Sequence, residues 1–125
     1  MPLKKILLID DDEDDNFFHK MVIAKAGVAE QVMVLESATE ALEILLQTTE
    51  FPELIFLDLN MPRMNGWEFI EILDKENKLK DLFVVILSTS FNNTDIARAR
   101  QFQIKHLELK PLTRQILQSV IASLK

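Results

Sequence analysis

The chain has no cysteine, no tyrosine and only two glycines among its 125 residues. Without thiols, disulfides and thiolate metal sites are excluded. That absence fits a reducing compartment. No apolar stretch approaches the roughly 18 residues that a membrane-spanning helix needs. The opening Met1-Pro2-Leu3-Lys4-Lys5 leads into only four apolar positions before a block of acids, which is not the pattern of a signal peptide. The expectation is a soluble, cytoplasmic protein with no membrane partner. Positive charge is also scarce over the first half: residues 1–60 carry 4 Lys/Arg against 13 Asp/Glu, within a net charge of −6. Such a balance argues against a nucleic-acid partner, because phosphate contacts dominate that affinity. Residues 98–125 reverse the sign, with 6 Lys/Arg against 1 Asp/Glu. That basic quarter is either a solvated helix face or a docking surface for an acidic protein.

What is present suffices for a core. Hydrophobic residues make up 48% of the chain, and its length suits one compact domain. With no linker, repeat or low-complexity stretch, a single domain is expected over residues 1–125, with no output domain. Two kinds of segment alternate. Short apolar runs at Lys5–Ile9, Val32–Leu35, Leu54–Leu57, Leu82–Leu87 and Leu107–Leu109 predict strands. Between and after them lie helical patterns. Asp14–Lys25 has Phe17, Phe18, Met21, Val22 and Ala24 as its apolar positions, and Gly27 as its stop. Ser37 and Glu40 form a capping-box pattern before the second helix. Gly66 opens a third, with Phe69, Ile70 and Leu73 inward, and the last two are Asn92–Gln103 and Thr113–Leu124. Strands alternating with helices give a parallel sheet covered on both faces, a doubly wound α/β fold with five helices.

In such a sheet all strand carboxyl ends share one edge, where ligands bind. Asp58 is the most informative residue there. It ends the buried run Leu54–Leu57, a costly place for a carboxylate unless a negative charge is needed. The first strand ends at Asp10-Asp11, the fourth at Ser88-Thr89-Ser90 and the fifth at Lys110-Pro111. Three carboxylates, a hydroxyl and an ammonium therefore converge. Clustered carboxylates need a cation to stay ionised, and Mg²⁺ suits a few carboxylates plus waters. A carboxylate so held can act as a nucleophile toward phosphorus, with Mg²⁺, Lys110 and Ser88 taking charge from the phosphoryl oxygens. Each residue alone admits an ordinary role: a solvated acidic turn, a cap, a strand-end hydroxyl, a surface lysine. Their joint occurrence at four strand ends is the informative signal.

These pieces, Ile6-Leu7-Leu8-Ile9-Asp10-Asp11, Leu57-Asp58-Leu59-Asn60-Met61-Pro62 with Gly66, Leu87-Ser88-Thr89-Ser90 and Lys110-Pro111, resemble the receiver domain of bacterial two-component response regulators. The resemblance covers essentially the whole chain. It implies a flavodoxin-like sheet of order 2-1-3-4-5. Asp58 would accept a phosphoryl group from a histidine kinase or phosphotransfer protein, and a downstream protein would read the result. The implied metal set is Mg²⁺ on Asp11 directly, on Asp10 largely through water, on Asp58 and on the backbone carbonyl of Asn60. Ser88 would be the switch hydroxyl, and Lys110, before a cis proline, would pair with phosphoryl oxygen. The surface of the fourth helix, fifth strand and fifth helix would change on phosphorylation. It holds Arg98, Arg100, Lys105, Lys110 and Arg114.

Four positions depart from the family pattern. Leu107 stands where relatives place Tyr or Phe three residues before the lysine. Gln103-Ile104 stands where Gly-Ala is usual, so the fourth helix must end without a glycine. Asn65 precedes Gly66 where Asp is commoner. Two other functions compete. A Mg²⁺-dependent phosphohydrolase with an Asp nucleophile would typically carry a second Asp two residues on, where this chain has Asn60. Turnover of external substrates is therefore not expected. A degenerate receiver that binds partners without phosphorylation conflicts with the intact Asp10, Asp11, Asp58, Ser88 and Lys110 set.

Overall fold

The five apolar runs become the strands of one parallel sheet in the order β2-β1-β3-β4-β5. The structure is a computed structural model and describes residues 2–124. The strands are β1 (Leu3–Ile9), β2 (Ala29–Leu35), β3 (Leu54–Leu57), β4 (Val84–Ser88) and β5 (His106–Leu109). The helices are α1 (Glu13–Ala26), α2 (Ala38–Gln47), α3 (Gly66–Lys75), α4 (Asn93–Gln101) and α5 (Arg114–Leu124). The fourth strand starts later than the apolar pattern suggests, because Leu79–Asp81 forms a 3₁₀ turn ahead of it.

Both sheet faces are buried, which is why the strands read as unbroken apolar runs rather than alternating ones. Leu7, Ile9, Ile55, Leu57 and Ile86 point to one face, under α2, α3 and Ala99 of α4. Ile6, Leu8, Leu54, Phe56, Val85 and Leu87 point to the other, under Ile23 of α1 and Leu117 and Val120 of α5. Phe69, Ile70 and Leu73 of α3 are fully buried, as their spacing predicts.

Side-chain caps fix most helix starts. Asn65 and Asn92 each form a reciprocal capping box, with Glu68 and Asp95. At Ser37 only one direction forms: its hydroxyl accepts from the Glu40 N–H. Gly27 closes α1 in the left-handed conformation, as expected. Helix α4 ends without glycine by placing Gln103 itself at φ 59°. The Gln103 and Ile104 N–H groups then bond back to the Arg100 and Ala99 carbonyls, a Schellman closure built on a non-glycine residue.

Helix α1 corrects the sequence reading. Its apolar residues Phe17, Phe18 and Met21 face outward, Phe17 with 72% of its surface exposed. Its buried positions are Asn16, His19 and Ile23. Charged and polar anchors set this rotation: Asp12 caps the helix, Asp15 bonds Lys110 and Asn16 bonds the Asp10 carbonyl.

Candidate functional site

Strand register delivers the site residues to one edge. Ile9 and Leu57 are the last register pair of β1 and β3, so Asp10 and Asp58 follow directly beyond it. The Asp58 N–H donates to the Ile9 carbonyl at 3.0 Å, Asp10 N–H to Leu35 at 3.1 Å and Lys110 N–H to Ser88 at 2.8 Å. Asp10, Asp58 and Lys110 are thus held by sheet hydrogen bonds, not by flexible loops. The Lys110–Pro111 peptide is cis. Gly66 passes so close to the Asp58 loop that an added Cβ would lie 2.9 Å from the Asp58 carbonyl oxygen. Only glycine fits that approach.

Asp10, Asp11 and Asp58 bring carboxylate oxygens within 4.8 Å of one another. Asp10 and Asp58 are buried and Asp11 is exposed, so the cluster opens to solvent on one side. An all-oxygen donor set with an open side fits a hard divalent cation such as Mg²⁺, which keeps several of its waters. The charge strain is visible in Asp58. Burial, followed by the charge of Asp10, raises its pKa to about 6, against the opposing pull of Lys110 and the Asn60 N–H. A cation bound here would neutralise the cluster.

Lys110 lies in the cluster, with Nζ 2.7 Å from Asp10 Oδ2, 2.8 Å from Asp15 Oδ2 and 3.7 Å from Asp58 Oδ1. Burial works against its charge, but the bonds to Asp10 and Asp15 more than reverse that and hold the ammonium above its ordinary range. Lys110 therefore adds no charge to the outer basic surface, contrary to the sequence reading that grouped it with Arg98 and Arg114. Ser88 is buried, and its hydroxyl donates to the Ser90 carbonyl at 3.1 Å rather than to Asp58. Asn60 is exposed just beyond Asp58. Leu107 packs partly buried against the α2/α3 side of the core, where the usual aromatic would stand.

Sequence reasoning missed Asp15, Asn16 and His19. Asp15 was absorbed into the acidic first turn of a helix, which the helix dipole explains without any partner. The signal that finds it is its place one turn inside the helix that starts at the carboxyl end of β1. The Asn16 Nδ2–H donates to the Asp10 carbonyl at 2.7 Å. His19 lines a small cavity with Asp10, Asn16 and Asp58. Burial lowers the His19 pKa, partly offset by Asp15, so the ring is neutral near pH 7. Next to Gly66, Trp67 is buried against α4: its Nε1–H donates to Asp95 Oδ1 at 2.9 Å, and its ring stacks on Phe102 at 6.4 Å.

A doubly wound sheet with an acidic cluster, a partly buried lysine and a strand-end hydroxyl at its carboxyl edge defines the receiver class of signalling domains. The family model of the response regulator receiver domain matches residues 6–122, and the chain belongs to that family. It is therefore a phosphorylation-accepting signalling module of the two-component type. Among solved structures it is similar to a two-component response regulator from Cytophaga hutchinsonii, at 28% identity and a TM-score of 0.89, covering 99% of this chain and 98% of that one. The phosphorylated cyanobacterial phytochrome response regulator RcpA is 30% identical, with a TM-score of 0.79, over 97% and 91% of the two chains. The response regulator Rcp1 of a Synechocystis strain is 29% identical over 92% of this chain and 85% of its own length.

Proposed function

We propose that this receiver domain takes a phosphoryl group on Asp58, with Mg²⁺ held by Asp10, Asp11, Asp58 and the Asn60 carbonyl. The observation that carries this reading is the convergence of Asp10, Asp11, Asp58 and Lys110 on one sheet edge. A carboxylate oxygen of Asp58 attacks phosphorus, and the bond from phosphorus to the donor's imidazole nitrogen breaks. The imidazole leaves with the electron pair. Lys110 then takes charge from phosphoryl oxygen, and Ser88 turns from the Ser90 carbonyl toward it. Mg²⁺, when bound, supplies neutralisation of the carboxylates and of the transferring group. The protein promotes its own phosphorylation and dephosphorylation but turns over no external substrate, since Asn60 stands where a hydrolase's second acid would be.

The donor is a histidine kinase or phosphotransfer protein in the cytoplasm. The exposed Phe17, Phe18 and Met21 lie on the helix whose first turn reaches the site, so a protein delivering phosphate to Asp58 covers them. The response passes to a downstream protein through the surface of α4, β5 and α5. With Leu107 in the aromatic's place, Trp67 is the best-placed reporter, because it joins the acceptor side of the molecule to α4. Addition of Mg²⁺ and beryllofluoride to the wild-type protein is expected to change Trp67 fluorescence, and Asp58→Asn is expected to remove that response. An equal response from both proteins would refute the assignment.

A further inference from the structure

Helix α1 buries the wrong residues for a helix that serves only the core. Asn16 is 5% exposed and His19 2% exposed, while the apolar Phe17, Phe18 and Met21 one step around the helix face outward. Burying polar groups opposes folding unless every one of them is bonded. Asn16 is only half satisfied. Its Nδ2–H donates to the Asp10 carbonyl, but its buried Oδ1 has no hydrogen-bond partner among the described residues. A leucine at this position would bury more apolar surface and still leave one orphan acceptor, the Asp10 carbonyl in place of Oδ1. Stability therefore does not account for an asparagine here.

The one bond that Asn16 makes points to another role. The Asp10 carbonyl belongs to the peptide that joins Asp10 to Asp11. Orienting that peptide plane sets the aim of both side chains, one on either side of it. Asp10 is in fact held at three atoms: Oδ1 by the Asp12 N–H at 3.0 Å, Oδ2 by Lys110 at 2.7 Å and the carbonyl by Asn16 at 2.7 Å. His19, one turn further along α1, lines the cavity of about 10 Å³ that Asn16 shares with Asp10 and Asp58. It is buried on the same face of α1 as Asn16.

We propose that Asn16, backed by His19, is a positioning residue for the metal site, fixing the Asp10–Asp11 peptide so that the two carboxylates meet one cation. This rests on the reading of Asp10 and Asp11 as metal ligands. The test is Mg²⁺ titration of the full chain by calorimetry, paired with thermal melting in Mg²⁺-free buffer, for wild type and Asn16→Leu. The expected result is a Mg²⁺ Kd weakened roughly 10–100-fold, the range for loss of a residue that orients a ligand. The melting temperature without Mg²⁺ should stay the same or rise. An unchanged Kd would overturn the proposal, and so would a weaker Kd accompanied by a lowered melting temperature. Should the leucine variant not fold, Asn16→Ser, too short to reach the carbonyl, is read in the same way. Asp11→Asn separates the two levels of the argument. If Asp11→Asn binds Mg²⁺ as wild type does, the metal site itself is misassigned. If it loses binding while Asn16→Leu does not, the positioning role alone fails.

Discussion

Asp58 carries a proton to an unusually high pH, because burial and the nearby charge of Asp10 raise its pKa to about 6. The unfolded chain releases that proton near the ordinary carboxylate value, about 3.9. Between roughly pH 4 and 6 the folded protein binds more protons than the unfolded chain, so stability falls as pH rises through that window. Above pH 6, without a cation, the ionised Asp58 destabilises the fold by roughly 2–3 kcal/mol. In Mg²⁺-free buffer, Asp58→Asn is therefore expected to be more stable than wild type at pH 7.5 by about that amount. The advantage should fade toward pH 4, and urea unfolding across the range measures it. An advantage that grows as the pH falls would contradict the assignment. Asp58, Asp10, Asp11 and Lys110 were legible because each ends an apolar run, where a charge stands out. Asp15 was not, because an acid in the first turn of a helix already has a sufficient explanation in the dipole.

The elements divide in the same way. Strands β1 and β3 were plain, since runs buried on both faces leave no other reading. Helix α3 was equally plain, its apolar spacing matching its buried face. Helix α1 misled because its most apolar positions are not its buried ones. The hydrophobic pattern assumes that burial decides rotation, whereas here hydrogen bonds to Lys110 and Asp10 decide it. The end of α4 was foreseen as sterically awkward, and Gln103 at φ 59° realises that strain. Left-handed backbone costs a residue with a Cβ about 1 kcal/mol, which glycine avoids. Gln103→Gly is accordingly expected to raise stability by about 0.5–1 kcal/mol. Asn77→Gly, in an equivalent closure after α3 at φ 59°, should gain less, because asparagine tolerates this conformation better. Chemical denaturation of both variants checks the ranking, and a destabilised Gln103→Gly would contradict it.

At the scale of the molecule, one edge of the sheet gathers the chemistry, and two routes lead from it. Lys110 ties α1 to the Asp58 side of the sheet through Asp15. On the opposite face, Gly66 packs on the Asp58 carbonyl, and Trp67 beside it holds α4 at Asp95 and Phe102. Neither Trp67–Asp95 nor Trp67–Phe102 could be read from the sequence, since the partners are far apart in the chain and no local pattern links them. The fold and the charged cluster at its edge were therefore legible, while the contacts that tie that cluster to α1 and α4 were not. The account stands on Asp58 as the acceptor. Its most direct test is the intact mass of the full chain after incubation with acetyl phosphate and Mg²⁺. The account predicts a gain of one phosphoryl group that requires Mg²⁺, is released by hydroxylamine as an acyl phosphate must be, and is absent from Asp58→Asn. A gain that persists in Asp58→Asn, or no gain in the wild-type protein, would contradict it.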